Sequence, residues 1–90
     1  MVTWDTAKLT INIAKHGLRF DGVDAIFDNP VVSWDDDRAN FGELRINLLG
    51  WLDDQVVHLT HTERGEGMHV ISLREAETHE IKRYIKGISK

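Results

Sequence analysis

Ninety residues suffice for one compact domain, and 41% hydrophobic with 29% charged residues lies well away from the composition of disordered chains. The absence of cysteine excludes a disulfide framework and a thiolate metal site, and it fits a reducing cytoplasm. A net charge of −4 excludes nucleic-acid binding through a uniformly basic surface, but the balance is uneven: residues 1–57 hold ten acids and five bases, whereas residues 58–90 hold five acids, six bases and four of the five histidines.

Trp4, Asp5 and Lys8 stand where a signal peptide needs an apolar run, and no stretch approaches a membrane span of roughly 18 apolar residues. Residues 1–90 therefore read as a single cytoplasmic domain. The first element is a helix over Trp4 to Lys15, capped by Asp5 or Thr6 and ended at Gly17 in a left-handed conformation. Helical spacing turns Ala7, Ile11 and Ala14 toward the core, and makes a polar ridge of Lys8, Asn12 and Lys15.

A second, short helix is expected from Phe20 to Phe27, with Asp21 as its cap and Val23, Ile26 and Phe27 inward. Pro30 ends it. Val31 to Trp34 then forms a strand, and Asp35-Asp36-Asp37 reads as a solvated loop, since no calcium-loop spacing follows. Three further strands, Leu44 to Trp51, Gln55 to Thr62 and Met68 to Arg74, are joined by Asp53-Asp54 and by a turn around Gly65, which implies an antiparallel meander. The final helix runs from about Thr78 to Lys86, with Ile81, Tyr84, Ile85 and Ile88 on one face and Lys82, Arg83 and Lys86 on the other.

If Asp53 and Asp54 are the central turn residues, Leu48 faces Leu59 and Ile46 faces His61 on the buried side, while Asn47 meets Thr60 and Leu49 meets His58 on the other. Carried through the next turn, the pairing puts Val57, Leu59, Ile71 and Leu73 inside, with His58, Thr60, Val70, Ser72 and Arg74 outside. One face suffices for the helices. The open face then gathers Arg45, Asn47, His58, Thr60, Ser72 and Arg74. The expected fold is α+β: a four-stranded antiparallel sheet with helices packed on one face, in the order α-α-β-β-β-β-α.

Several motifs appear in order: Trp4-Asp5 with Lys8 and Asn12; Lys15-His16-Gly17 and Phe20; Phe27-Asp28 with Pro30; His61-Thr62-Glu63-Arg64-Gly65; Ile71-Ser72 with Arg74 and Ala76; and Glu80 with Tyr84. The set resembles the BrnT family of type II toxins over nearly the whole chain. His69, where the family commonly has a basic residue, and Leu73, in place of a small one, depart from its pattern. The resemblance implies a RelE-like fold and RNA cleavage on the basic open face without metal or other cofactor, arresting translation. It also implies a cognate antitoxin that occupies the toxin and alone binds operator DNA, with no membrane partner.

Cleaving RNA without metal needs a base for the 2′-hydroxyl, a cation for the charged phosphorane and an acid for the leaving oxygen. Arg74 and Arg45 suit phosphate, with Arg64 in the turn able to join them, and His58 is the candidate acid or base. Glu80 and Tyr84 match the family pattern, Glu80 as a partner for a nearby arginine and Tyr84 with its ring packed under a satisfied hydroxyl. Lys8, Lys15, Asn47, Thr60 and Ser72 are the candidate RNA contacts. His16 is expected to serve the end of the first helix, and His61 facing His69 across the hairpin makes a poor metal pair without a third ligand. The competing function is a non-catalytic module that docks a partner protein through the open face, and a weaker third is a histidine metal site.

Overall fold

The computed structural model describes residues 2–36 and 43–89. In chain order it contains β1 (Val2–Trp4), α1 (Thr6–His16), a 3-10 helix (Val23–Asp28), β2 (Val32–Asp36), β3 (Arg45–Leu52), β4 (Gln55–Arg64), β5 (Gly67–Glu75) and α2 (Thr78–Ile88). The strands form one five-stranded sheet ordered β1-β5-β4-β3-β2. The four antiparallel strands expected from the sequence are β2 to β5, and β1 adds a fifth that runs parallel to β5, so the sheet is mixed and the RelE-like order is not matched in full. Trp4 belongs to this added strand rather than to the first helix, and its ring packs edge-on against Phe20 at 6.3 Å.

The β3–β4 register is the expected one, with Leu48 opposite Leu59 and Leu49 opposite His58. Asp53 and Asp54 both take positive φ (51° and 64°), the geometry that a two-residue hairpin turn demands. The next hairpin departs from expectation. A bulge between Thr60 and His61 leaves Thr60 opposite Ser72 but sets His61 opposite Val70, so Ile71 loses its partner and Val70 turns inward with no exposure. One extra residue reverses the parity beyond it. His61 and His69 consequently do not face each other, because His69 pairs with Thr62.

Phe20, Val23, Ile26, Leu48, Leu59 and Leu73 head the core, which lies on the sheet face covered by α1 and the 3-10 helix. The second helix is thus a 3-10 turn entered from Gly22 rather than capped by Asp21, which pairs with Arg19 at 3.0 Å, and Phe27 points outward at 52% exposure. Gly50 lets this turn approach, since a Cβ there would lie 2.4 Å from Ile26. β2 extends beyond its expected end to include Asp35 and Asp36, and Asp37 lies outside the described residues.

Asp5 caps α1 by accepting from the Ala7 and Lys8 amides, and Gly17 ends it at φ 72°. The inward stripe of α1 is Leu9, Asn12, Ile13 and His16, whereas Ala7, Ile11 and Ala14 are exposed. Asn12 explains the rotation. β1 covers β5 only from Met68 to Val70, and the Asn12 side chain takes over at Leu73, accepting from its N–H at 3.0 Å and donating to its carbonyl at 2.8 Å. A second donation reaches the Leu18 carbonyl at 2.9 Å. The expected ridge of Lys8, Asn12 and Lys15 is therefore broken in the middle, because Asn12 is buried.

α2 packs on β2 and β3, and its side chains reach His58 and Arg74, so it covers the face opposite α1. The expected placement of all helices on one face is corrected accordingly. Gly87 permits this close approach, since a Cβ would meet Val32 at 2.6 Å. The buried positions of α2 are Glu80 and Tyr84, while Ile85 and Ile88 of the expected apolar face stay 54% and 40% exposed.

Candidate functional site

Alternation along β2 to β5 sends Val32, Leu49, His58 and Arg74 to the α2 face in one row across the sheet, and Trp34, Asn47, Thr60 and Ser72 in the next. Leu49 is fully buried and supplies the apolar footing for α2. Tyr84 fixes the far end of the helix by donating its hydroxyl to the Pro30 carbonyl at 2.9 Å. Between these anchors the residues are polar and mutually bonded.

Glu80 is the hub. Its carboxylate receives Arg74 Nη1 at 2.7 Å and Nη2 at 3.0 Å, a bidentate pair, and also the Glu77 backbone N–H at 2.8 Å, which closes the capping box of α2. Burial pushes the Glu80 carboxyl up, but the Arg74 hydrogen bonds, the Glu77 amide and the charges of Arg74 and His58 outweigh it and hold the group at about 2. Glu80 is accordingly an ionised orienting group rather than a proton acceptor at neutral pH. The Glu80 hydrogen bonds in turn raise Arg74, against the opposing effect of burial.

His58 Nδ1 lies 2.9 Å from Glu80 Oε2 and 2.7 Å from Arg74 Nη2, while its Nε2 lies 3.1 Å from Asn47 Oδ1. A carbonyl oxygen accepts, so Nε2 carries a proton. Nδ1 then has two states: protonated, it donates to Glu80; unprotonated, it accepts from Arg74. Thr60 donates its hydroxyl to the same Asn47 oxygen at 2.8 Å. The cluster thus joins a fixed cation, a fixed anion and an imidazole with an alternative partner for each protonation state.

Of the residues singled out from sequence, His58, Arg74, Glu80, Asn47 and Thr60 are brought together, with Ser72 opposite Thr60 on the neighbouring strand. Arg45 shares the face but stands four residues from Leu49 along β3, roughly 13 Å from the His58 row, opposite Asp36. Arg64 lies at the far end of β4, where it pairs with Glu43 at 2.8 Å on the exposed surface. Lys8 and Lys15 flank a groove on α1 that Ile71 and Ser72 also line, so Ser72 links that groove to the cluster. Tyr84 serves α2 as described. The sequence reading missed Trp34, whose ring centroid is 5.6 Å from that of His58, and Arg83, whose guanidinium carbon lies 3.9 Å above the Trp34 ring. The alternation of Val32 and Trp34 was the available signal, but it does not reveal which row of β3 they join.

On the opposite face His61 is buried, and its Nδ1 has no hydrogen-bond partner among the described residues. Burial lowers its pKa, with Glu63 opposing, which favours the neutral imidazole. No group of three His, Cys, Asp or Glu side chains among the described residues is arranged to hold a metal ion. Among the described residues no helix is long and apolar enough to cross a membrane.

A family model described as ribonuclease toxin, BrnT, of type II toxin-antitoxin system matches residues 4–80. The chain belongs to the BrnT family. Comparison with curated proteins returns no match. The matched span reaches from Trp4 to Glu80 and takes in every strand from β2 to β5. BrnT family members are ribonuclease toxins, and a toxin of a type II system implies an antitoxin partner. Two of the motif residues now have a structural account within this BrnT chain: Asn12 secures α1 to β5, and Glu80 holds Arg74 and His58 together.

Proposed function

We propose that residues 1–90 form a single toxin domain that cleaves RNA as a metal-independent endoribonuclease, arrests translation, and is neutralised by a cognate antitoxin. The observation that carries this reading is the contact of His58, Glu80 and Arg74 on the polar face of a chain in a ribonuclease toxin family. Operator DNA enters only through the antitoxin.

In the proposed reaction the 2′-oxygen loses its proton and attacks phosphorus, the bond to the 5′-oxygen breaks, and that oxygen takes up a proton. Arg74, 29% exposed at its side chain, meets the phosphate as negative charge develops. Glu80 holds the guanidinium in place and stabilises the imidazolium of His58 by accepting from Nδ1. His58 Nε2 reaches the substrate by exchanging Asn47 Oδ1 for a substrate oxygen, and Thr60 keeps the vacated amide oxygen hydrogen-bonded during the exchange. The sugar-phosphate chain continues over Ser72 toward Lys8 and Lys15.

Cleavage of a single-stranded RNA by the purified chain, with and without chelator, tests the reading. Arg74→Ala should slow cleavage about a hundredfold or more, the cost of removing one preorganised donor, while antitoxin still co-purifies. Arg74→Lys should recover part of the rate, because the charge returns without the bidentate geometry. A folded Arg74→Ala protein that cuts at the wild-type rate would remove Arg74 from the reaction.

A further inference from the structure

Arg19, Arg64 and Arg74 each pair with a carboxylate, at 3.0, 2.8 and 2.7 Å. Arg83 does not: it is exposed, pairs with no carboxylate among the described residues, and lies over the face of Trp34 at 3.9 Å. The indole supplies no countercharge, so the exposed guanidinium stays available to a ligand. The same helix that brings Glu80 to the cluster carries Arg83 one turn later, so the stacked pair and the cluster are set by one rigid element. Trp34 is half-buried and tilted at 51° to the His58 ring.

We propose that Arg83, stacked on Trp34, is the platform for the nucleobase beside the cleaved phosphate. This deepens the RNA-cleavage reading and rests on it. Arg74 and Trp34 both neighbour His58, Arg74 through Nη2 at 2.7 Å from Nδ1 and Trp34 with its ring centroid 5.6 Å from that of the imidazole, so the Arg83–Trp34 pair stands beside the phosphate position, within reach of one nucleotide. Splayed single-stranded bases stack on guanidinium planes as well as on aromatic rings, whereas a duplex keeps its bases inside. The substrate class is therefore single-stranded RNA, read here by stacking, with Arg83 touching the base and Trp34 acting as a positioning residue beneath it.

The test uses a series of non-cleavable 2′-O-methyl RNA oligomers, each with one abasic position, titrated against the chain of residues 1–90 by fluorescence anisotropy. Wild type should lose about tenfold in affinity at one abasic position, the order expected of a single stacking contact. In Arg83→Ala the intact oligomer should bind as weakly as that abasic one, and the abasic site should cost nothing more. Arg83→Lys should keep the salt dependence of binding but lose the abasic sensitivity. Equal abasic profiles in wild type and Arg83→Ala would overturn the proposal, and so would an Arg83→Ala protein that is only less heat-stable, since that is what a structural brace predicts. Cleavage of unmodified RNA by wild type is measured alongside. Cutting by wild type combined with equal abasic profiles removes the platform alone, while absence of cutting and binding removes the cleavage reading with it.

Discussion

The two faces of the sheet use the same strands in opposite ways. Toward α1 and the 3-10 helix, Leu48, Val57, Leu59, Val70 and Leu73 are buried to 1% exposure or less and meet other hydrocarbon. Toward α2 the same strands present His58, Asn47, Thr60 and Arg74, held by named hydrogen bonds to Glu80 and to one another. Hydrocarbon packing is non-directional and tolerates adjustment, whereas a hydrogen-bonded cluster has one geometry and is costly when half-satisfied. Stability is therefore expected to reside on the first face and chemistry on the second.

Leu59→Ala should give the largest effect. It empties the centre of the apolar face, and denaturant unfolding should show a loss of about 2–5 kcal/mol. A smaller loss than Arg74→Ala produces would reverse the assignment of the two faces. Asn12→Ala comes next, at roughly 2–3 kcal/mol, because it strips the Leu73 N–H and carbonyl of their partners in a buried position. Amide exchange at Leu73 should accelerate with it, and an unchanged rate would mean the Asn12 contact contributes nothing.

Glu80 sharpens the comparison through pH. Its folded value of about 2 lies below its ordinary 4.5, so its contribution to stability is present above pH 4.5 and disappears as pH falls toward 2. The stability difference between wild type and Glu80→Gln should reach as much as roughly 3 kcal/mol at pH 6 and close across that window. A difference that persists at pH 2 would point to packing rather than charge. Arg64→Ala should change melting least, since its pair with Glu43 is exposed on both sides. A large loss of RNA cleavage in that variant would instead extend the RNA path to the β4–β5 turn.

The β3–β4 register was legible because two adjacent aspartates between apolar runs leave only one short turn, and that turn sets every pair behind it. That register places His58 with Asn47, and the pairing of Glu80 with an arginine was also anticipated. The bulge at Thr60 was not legible, because Val70 and Ile71 are equally apolar and either parity satisfies the pattern. β1 escaped notice because three residues show no alternation. The side taken by α2 was misread for a deeper reason: its isoleucines carry the periodicity, yet Glu80 and Tyr84 are what it buries, and a glutamate reads as buried only once its arginine and histidine are known.

The short reach of β1 has a further consequence at the edge of the sheet. Beyond Val70 the outer margin of β5 would be an unsatisfied template, the kind of surface on which identical chains join into larger β assemblies. Asn12 occupies the Leu73 position of that margin with an amide that copies one residue of a neighbouring strand and extends no further. At Leu73 the edge is thereby satisfied by a side chain that offers nothing for a neighbouring strand to continue.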